Sequence, residues 1–243
     1  MSAEALRELL PAGPVLSVGI LTADLGRMAD ELALLEAGGA RLVHIDVIDG
    51  VFCPMMTLGP PTVKAMRTSL LKDVHLMIDD PLPKVEWFVA AGADMVTFHV
   101  EGAAQSHRVL HVLGSATNAN DPDRGVVRGV GLNPSTPLEV VAPLLDDIDY
   151  LLILAIDPGW GGQRFLDGTA RRLERARALI DGSGRDVVLG VDGGVTRENI
   201  AYVAGLGAEV IVTGSAVFDG KDAAANLALM QAGVAGQVTL AGQ

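Results

Sequence analysis

His44 and Asp46 stand two residues apart in the stretch Arg41-Leu42-Val43-His44-Ile45-Asp46-Val47-Ile48-Asp49-Gly50. Alternate residues of a strand share a face. An imidazole and a carboxylate at this spacing therefore point the same way and make half of a metal site. His75 and Asp192, each near the end of another apolar run, are the candidates for the other half. Inward-facing charge in an apolar interior is costly unless it is paired or bound to metal. Two imidazoles and two carboxylates suit Zn²⁺, Mn²⁺, Fe²⁺ or Co²⁺, and ligand type does not choose among them. Asp49, His99, Glu101, Asn133 and Asp157 also lie at the ends of apolar runs. Any one histidine alone would read as a hydrogen-bonded core residue or a strand cap. Four such groups at strand ends read as a site.

Glycine supplies a second kind of chemistry. Asp157-Pro158-Gly159-Trp160-Gly161-Gly162-Gln163 follows the sixth apolar run, Gly193-Gly194 the seventh and Gly214-Ser215 the eighth. Exposed backbone N–H groups at such turns, together with a helix N-terminus, cradle anions. One glycine group alone would be a tight turn. Three in succession favour a phosphate site. Gly159, Gly161 and Gly162 could also hinge a lid covered by Trp160.

These residues need a scaffold. Strand-like runs fall near 15–21, 41–48, 73–78, 95–100, 128–133, 150–157, 187–192 and 209–214. Helical patterns fall near 25–37, 60–70, 82–91, 105–113, 137–145, 168–181, 196–205 and 221–232, after a short amphipathic helix at 4–10. The strands are nearly continuous apolar runs, as a sheet buried on both faces requires. Eight βα units predict an α/β fold, a single closed (β/α)8 barrel over 1–243 with a short N-terminal extension at 1–14. The alternative is a doubly wound open sheet, which the count disfavours. Barrel active sites lie at the C-terminal ends of the strands, where every group named above falls. The polar segment 114–125 then belongs on the opposite face.

Composition narrows the class. At 243 residues the chain suits one barrel, and a formal charge of −12 argues against a nucleic-acid partner. No apolar run is long enough for a membrane span. The N-terminus lacks the blocks of a signal peptide, and Cys53 is the sole cysteine. A cytoplasmic protein is expected.

From Ile20 to Phe218 the motifs resemble the ribulose-phosphate 3-epimerases. The likeness is carried by Ile20-Leu21-Thr22-Ala23-Asp24, His44 to Gly50, Asp73-Val74-His75-Leu76-Met77 and Asn133-Pro134-Ser135-Thr136-Pro137. Pro158 to Gln163, Val191-Asp192-Gly193-Gly194 and Gly214-Ser215-Ala216 complete it. The resemblance implies a TIM barrel of the ribulose-phosphate-binding type that holds one divalent ion per chain. His44, Asp46, His75 and Asp192 would be its ligands, and Asp46 and Asp192 the acid–base pair on opposite faces of the substrate. His75 would also meet the substrate. Gly159, Trp160, Gly161, Gly162, Gly193, Gly194, Gly214 and Ser215 would hold its phosphate. The implied reaction inverts C3 of a phosphorylated ketose, D-ribulose 5-phosphate first, through an enediolate. A homo-oligomer is expected.

Several positions depart from the family pattern. Gly19 stands where a serine is usual, Ile48 and Leu154 where methionines are usual, and Met55 and Asp157 where asparagines are usual. Asp157 also resembles the allulose-6-phosphate 3-epimerase branch. Three readings therefore stay open. They are ribulose 5-phosphate 3-epimerase, a 3-epimerase of allulose 6-phosphate or a tetrulose phosphate, and an inert phosphate-binding barrel serving binding or assembly. A related barrel decarboxylase would want a strand-end lysine, and none is present.

Overall fold

The structure, a computed structural model, describes residues 1–236. Residues 237–243 of the domain expected over 1–243 lie outside the described residues. Eight strands form a closed barrel in sequence order: β1 Val15–Gly19, β2 Leu42–Ile48, β3 Leu71–Met77, β4 Met95–His99, β5 Val127–Leu132, β6 Tyr150–Leu154, β7 Val188–Asp192 and β8 Val210–Thr213. All neighbours are parallel, and β8 returns to pair with β1. The barrel expected from the apolar runs is the fold the chain adopts, and the open sheet is excluded.

A short helix, α1 (Ala3–Leu9), precedes the barrel. Outside the strands lie α2 (Met28–Ala37), α3 (Pro60–Ala65), α4 (Val85–Ala90), α5 (Ser106–Gly114), α6 (Thr169–Ser183), α7 (Ile200–Ala204) and α8 (Ala223–Val234). The fifth crossover, expected to be α-helical over 137–145, is instead a 3₁₀ helix at Leu138–Leu144. Pro143 inside it has no N–H to give and would clash with the preceding turn of an α-helix. The third and seventh helices are also shorter than the apolar patterns at 60–70 and 196–205 suggest.

Two apolar layers hold the barrel. The outer one packs strand residues such as Val43, Ile45, Val74 and Leu76 against the helices. The inner one fills the barrel with Val15, Leu42, Met95, Val127, Tyr150, Leu152, Val188 and Val210, and includes Ala3 and Leu6 of α1. The amphipathic N-terminal helix is thus a plug. Ser2 caps it by accepting from the Ala5 N–H at 3.2 Å. Arg7 ties it to Glu209, with Nε donating to Oε2 at 2.6 Å. The polar segment after α5 lies near the start of β4, where Asn118 and Arg124 donate to Asp94 at 2.9 and 2.7 Å. With that end filled by hydrocarbon, the other end is left for chemistry.

Candidate active site

Strand register brings the candidate residues together. β2 and β3 pair Asp46 with His75 and His44 with Asp73. Asp192 ends β7. His44, Asp46, His75 and Asp192 each offer one ligand atom, and all four atoms lie within 4.8 Å of one another. His75 Nδ1 is 3.1 Å from Asp46 Oδ1 and 3.6 Å from Asp192 Oδ2, while His44 Nε2 is 3.2 and 3.8 Å from the same two atoms. Both imidazoles are fully buried. The carboxylates keep 23% and 18% of their side-chain surface, which places them at the cavity floor with the rings beneath.

The electrostatics fit a cation. Burial pushes Asp46 up, but the adjacent imidazoles, His44 first and then His75, outweigh it and hold Asp46 far below the ordinary carboxylate range. Burial raises Asp192, and the neighbouring Asp46 charge adds to it. Two carboxylates this close do not both ionise in comfort without a compensating positive charge. The two nitrogens and two oxygens form a group that could hold a metal ion.

Each histidine is held from behind by residues to which the sequence reading gave no role. His44 Nδ1 lies 2.8 Å from Asp73 Oδ2, and Ser17 Oγ donates to the same oxygen at 2.8 Å. His75 Nε2 lies 2.8 Å from His99 Nε2, and His99 Nδ1 lies 3.1 Å from Glu101 Oε2. Burial pushes His99 down to about 4. Burial would raise Glu101, yet hydrogen bonds from His99, Thr136 and Asn133 hold it down at about 2. Asp73 and His99 lie on β3 and β4 and Glu101 in the turn just past β4, but only the closed barrel turns them toward the ligands. Gly131 makes the room. A Cβ there would come within 2.8 Å of His99 Nε2.

A cavity of about 540 Å³ opens above Asp46 and Asp192. All the glycines expected around a phosphate, Gly159, Gly161, Gly162, Gly193, Gly194 and Gly214, line it together with Trp160 and Ser215. Gly193 and Gly194 have φ of +102° and +68°, a left-handed turn that side chains resist. Gln163 staples the loop before them, donating to the carbonyls of Asp157 and Trp160 at 2.5 and 3.0 Å. Trp160 remains half exposed at the rim. Arg164, Thr196 and Asn199 also line the cavity and were not anticipated. Ile48, Cys53 and Met77, with Phe52 and Met55 against them, form an apolar wall beside Asp46. Gly19, Met55 and Leu154 reach the cavity, whereas Asp157 and the buried His75 are not in its lining.

The sequence profile described as the ribulose-phosphate 3 epimerase family matches residues 15–218. The ribulose-phosphate 3-epimerase of Bacillus subtilis strain 168 is 38% identical over 206 residues, 84% of this chain and 91% of the relative. The enzyme of that name from Escherichia coli strain K12 is 37% identical over 211 residues, 86% and 90% of the two chains. Among solved structures, the 3-hexulose-6-phosphate synthase of Salmonella typhimurium superposes with a TM-score of 0.67 at 17% identity. It covers 92% of this chain and 100% of its own. At that identity the superposition speaks for the barrel alone.

Proposed function

The chain belongs to the ribulose-phosphate 3-epimerase family, and we propose that it interconverts D-ribulose 5-phosphate and D-xylulose 5-phosphate. The observation that carries this reading is the meeting of His44, Asp46, His75 and Asp192 at the floor of a glycine-rimmed cavity. In it, the phosphate rests on the backbone N–H groups of Gly193, Gly194, Gly214 and Ser215 and of the loop Gly159 to Gly162. Arg164, the one cation in the described lining, adds charge. The sugar lies between Asp46 and Asp192, against the wall of Ile48 and Met77.

One carboxylate removes the proton from C3, and the electron pair passes into the adjacent carbonyl to give an enediolate. The other carboxylate returns a proton to C3 from the opposite face, and the stereocentre inverts. The second carboxylate enters protonated and the first leaves protonated, so the pair carries one proton throughout and no external acid or base is consumed. A divalent ion held by the four residues would supply electrostatic stabilisation of the enediolate. The buried floor and the apolar wall exclude water, which strengthens each of these interactions.

The second reading, a different ketose phosphate, is favoured by Gly19, Met55 and Leu154, all in the lining. Asp157, the position that resembles the allulose 6-phosphate branch, makes no such contact. An inert binding barrel fits least well, since both the carboxylate pair and the glycine rim are complete. A cytoplasmic homo-oligomer completes the proposal. The exposed apolar side chains of Trp87, Val51 and Met56 support the oligomer, and no described helix is long and apolar enough to cross a membrane. The net charge of −12 argues against nucleic acid.

Proton NMR in deuterated buffer tests the reaction directly. Ribulose 5-phosphate should lose its C3 proton signal while xylulose 5-phosphate appears. Exchange with another ketose phosphate alone would move the assignment to that sugar, and exchange with none would favour the binding barrel.

A further inference from the structure

The chain of contacts behind His75 has a direction. The Asn133 N–H donates to Glu101 Oε1 at 2.7 Å, and the Thr136 hydroxyl donates to the same oxygen. Arg172 holds this loop in turn, donating to the carbonyls of Asn133 and Thr136. Glu101 Oε2 is left facing His99 Nδ1 at 3.1 Å. A carboxylate only accepts, so His99 Nδ1 carries the proton. His99 Nε2 faces His75 Nε2 at 2.8 Å, so one of these two nitrogens donates and the other accepts. Two lone pairs cannot face each other at that distance. A His75 that ligates an ion through Nδ1, the nitrogen directed at Asp46 and Asp192, carries its proton on Nε2. It donates from there to His99 Nε2, which accepts while His99 Nδ1 donates to Glu101.

We infer that Glu101 and His99 are positioning residues that fix the tautomer of His75, so that its Nδ1 is held ready as a ligand. The inference rests on the metal reading of the four-residue site. It adds that metal affinity is set from outside the site, at a carboxylate two residues removed along a hydrogen-bonded line. His44 is oriented by a carboxylate directly, while His75 is oriented by a carboxylate through a second imidazole.

The test is an amide in place of Glu101. In Glu101→Gln, the Asn133 and Thr136 donors retain the amide oxygen, so the NH₂ group turns to His99. His99 must then accept at Nδ1 and carry its proton on Nε2. His75 is forced to accept from it and to protonate the nitrogen meant for the ion. His99→Gln keeps an acceptor opposite His75, and its amide can turn either way. Each protein is titrated with Co²⁺ against a competing chelator, with thermal unfolding measured alongside.

Wild type should bind one Co²⁺, and Asp46→Asn should weaken it. Glu101→Gln should lose about 10–100-fold in affinity, the usual scale for residues that orient a ligand. His99→Gln should stay near wild type, and the double variant should recover the affinity that Glu101→Gln lost. In the Zn²⁺-loaded wild type, a ¹⁵N–¹⁵N coupling should cross the His75–His99 hydrogen bond. A packing role predicts the opposite order, with the double variant weakest. Unchanged affinity in Glu101→Gln, or no recovery in the double variant, overturns the inference and leaves the metal site standing. Wild type that binds no Co²⁺ at the site overturns both.

Discussion

Asp73 sits directly behind His44 in the barrel interior, its Oδ2 2.8 Å from the ring Nδ1. The pairing follows from register, because β2 and β3 set these two residues side by side. It directs His44 Nε2 toward Asp46 and Asp192, where a ligand nitrogen is wanted. Ser17, one residue pair deeper on β1 than Gly19, donates to the same carboxylate oxygen. From that depth Ser17 supports the metal site from below.

Asp73→Asn should therefore weaken divalent metal binding by about 10–100-fold. Ser17→Ala removes one neutral donor from an oxygen that keeps its contact with His44. It should cost about 0.5–1.5 kcal/mol of stability and change affinity far less. Metal titration and thermal unfolding of both variants check the order. Equal losses of affinity would remove the special role of Asp73.

Metal removal should abolish turnover, and adding back Zn²⁺, Mn²⁺, Fe²⁺ or Co²⁺ should restore it at about one ion per chain. Elemental analysis with activity assays after chelation decides this. Full activity in thoroughly metal-free protein would exclude the mechanism.

Asp46→Asn and Asp192→Asn should each lower turnover by several orders of magnitude, since each deletes a proton carrier worth about 10²–10⁴ and a ligand charge. Metal content is measured beside rate. A variant that keeps both its ion and near-normal turnover is not a proton carrier.

The barrel was legible because eight apolar runs alternate with helical patterns, and buried parallel strands leave little else that reads this way. The four ligand candidates were legible because they end those runs. Partners across strands were not. Nothing local joins Asp73 to His44, 29 residues away, or Glu101 to Asn133, 32 away. Such contacts depend on shear, which the sequence encodes only through the whole barrel. Gly131 illustrates the same limit. It reads as a weak spot in a strand until His99 is seen to need its space. The plug formed by α1 was likewise hidden, since an amphipathic helix does not announce which surface it will cover.

Acid should loosen that plug. Burial pushes Glu209 up, but hydrogen bonds from Arg7 and Arg177 outweigh it and hold the carboxyl below its usual range. A carboxylate with a lowered folded pKa stabilises the protein above its unfolded value of about 4.3 and loses that contribution as pH falls further. Side chains at this partly exposed site are screened, so the effect should be on the order of 1 kcal/mol. Glu209→Gln should unfold at lower temperature than wild type at pH 7, and the two should converge below about pH 4. A constant gap from neutral to acid pH would show that charge at Glu209 is not the cause.

Gly19 offers the sharpest test of the substrate. It lines the cavity at the end of β1, the position at which the family resemblance leads one to expect a serine. A Cβ built there would lie 3.4 Å from Gly214 Cα, an ordinary contact, so the scaffold accepts a side chain without moving. If ribulose 5-phosphate is the substrate, Gly19→Ser restores one hydrogen bond worth about 0.5–1.5 kcal/mol, a gain of about 2–12-fold in kcat/KM. Stability should change little, because no neighbour is displaced. The same variant is assayed with allulose 6-phosphate and the tetrulose phosphates. A fall for ribulose 5-phosphate, or wild-type kcat/KM for another sugar about a hundredfold higher, would mean that glycine is there to admit that sugar. A hundredfold preference is about 2.7 kcal/mol, more than one missing hydroxyl explains, and would implicate Met55 and Leu154 in the same cavity.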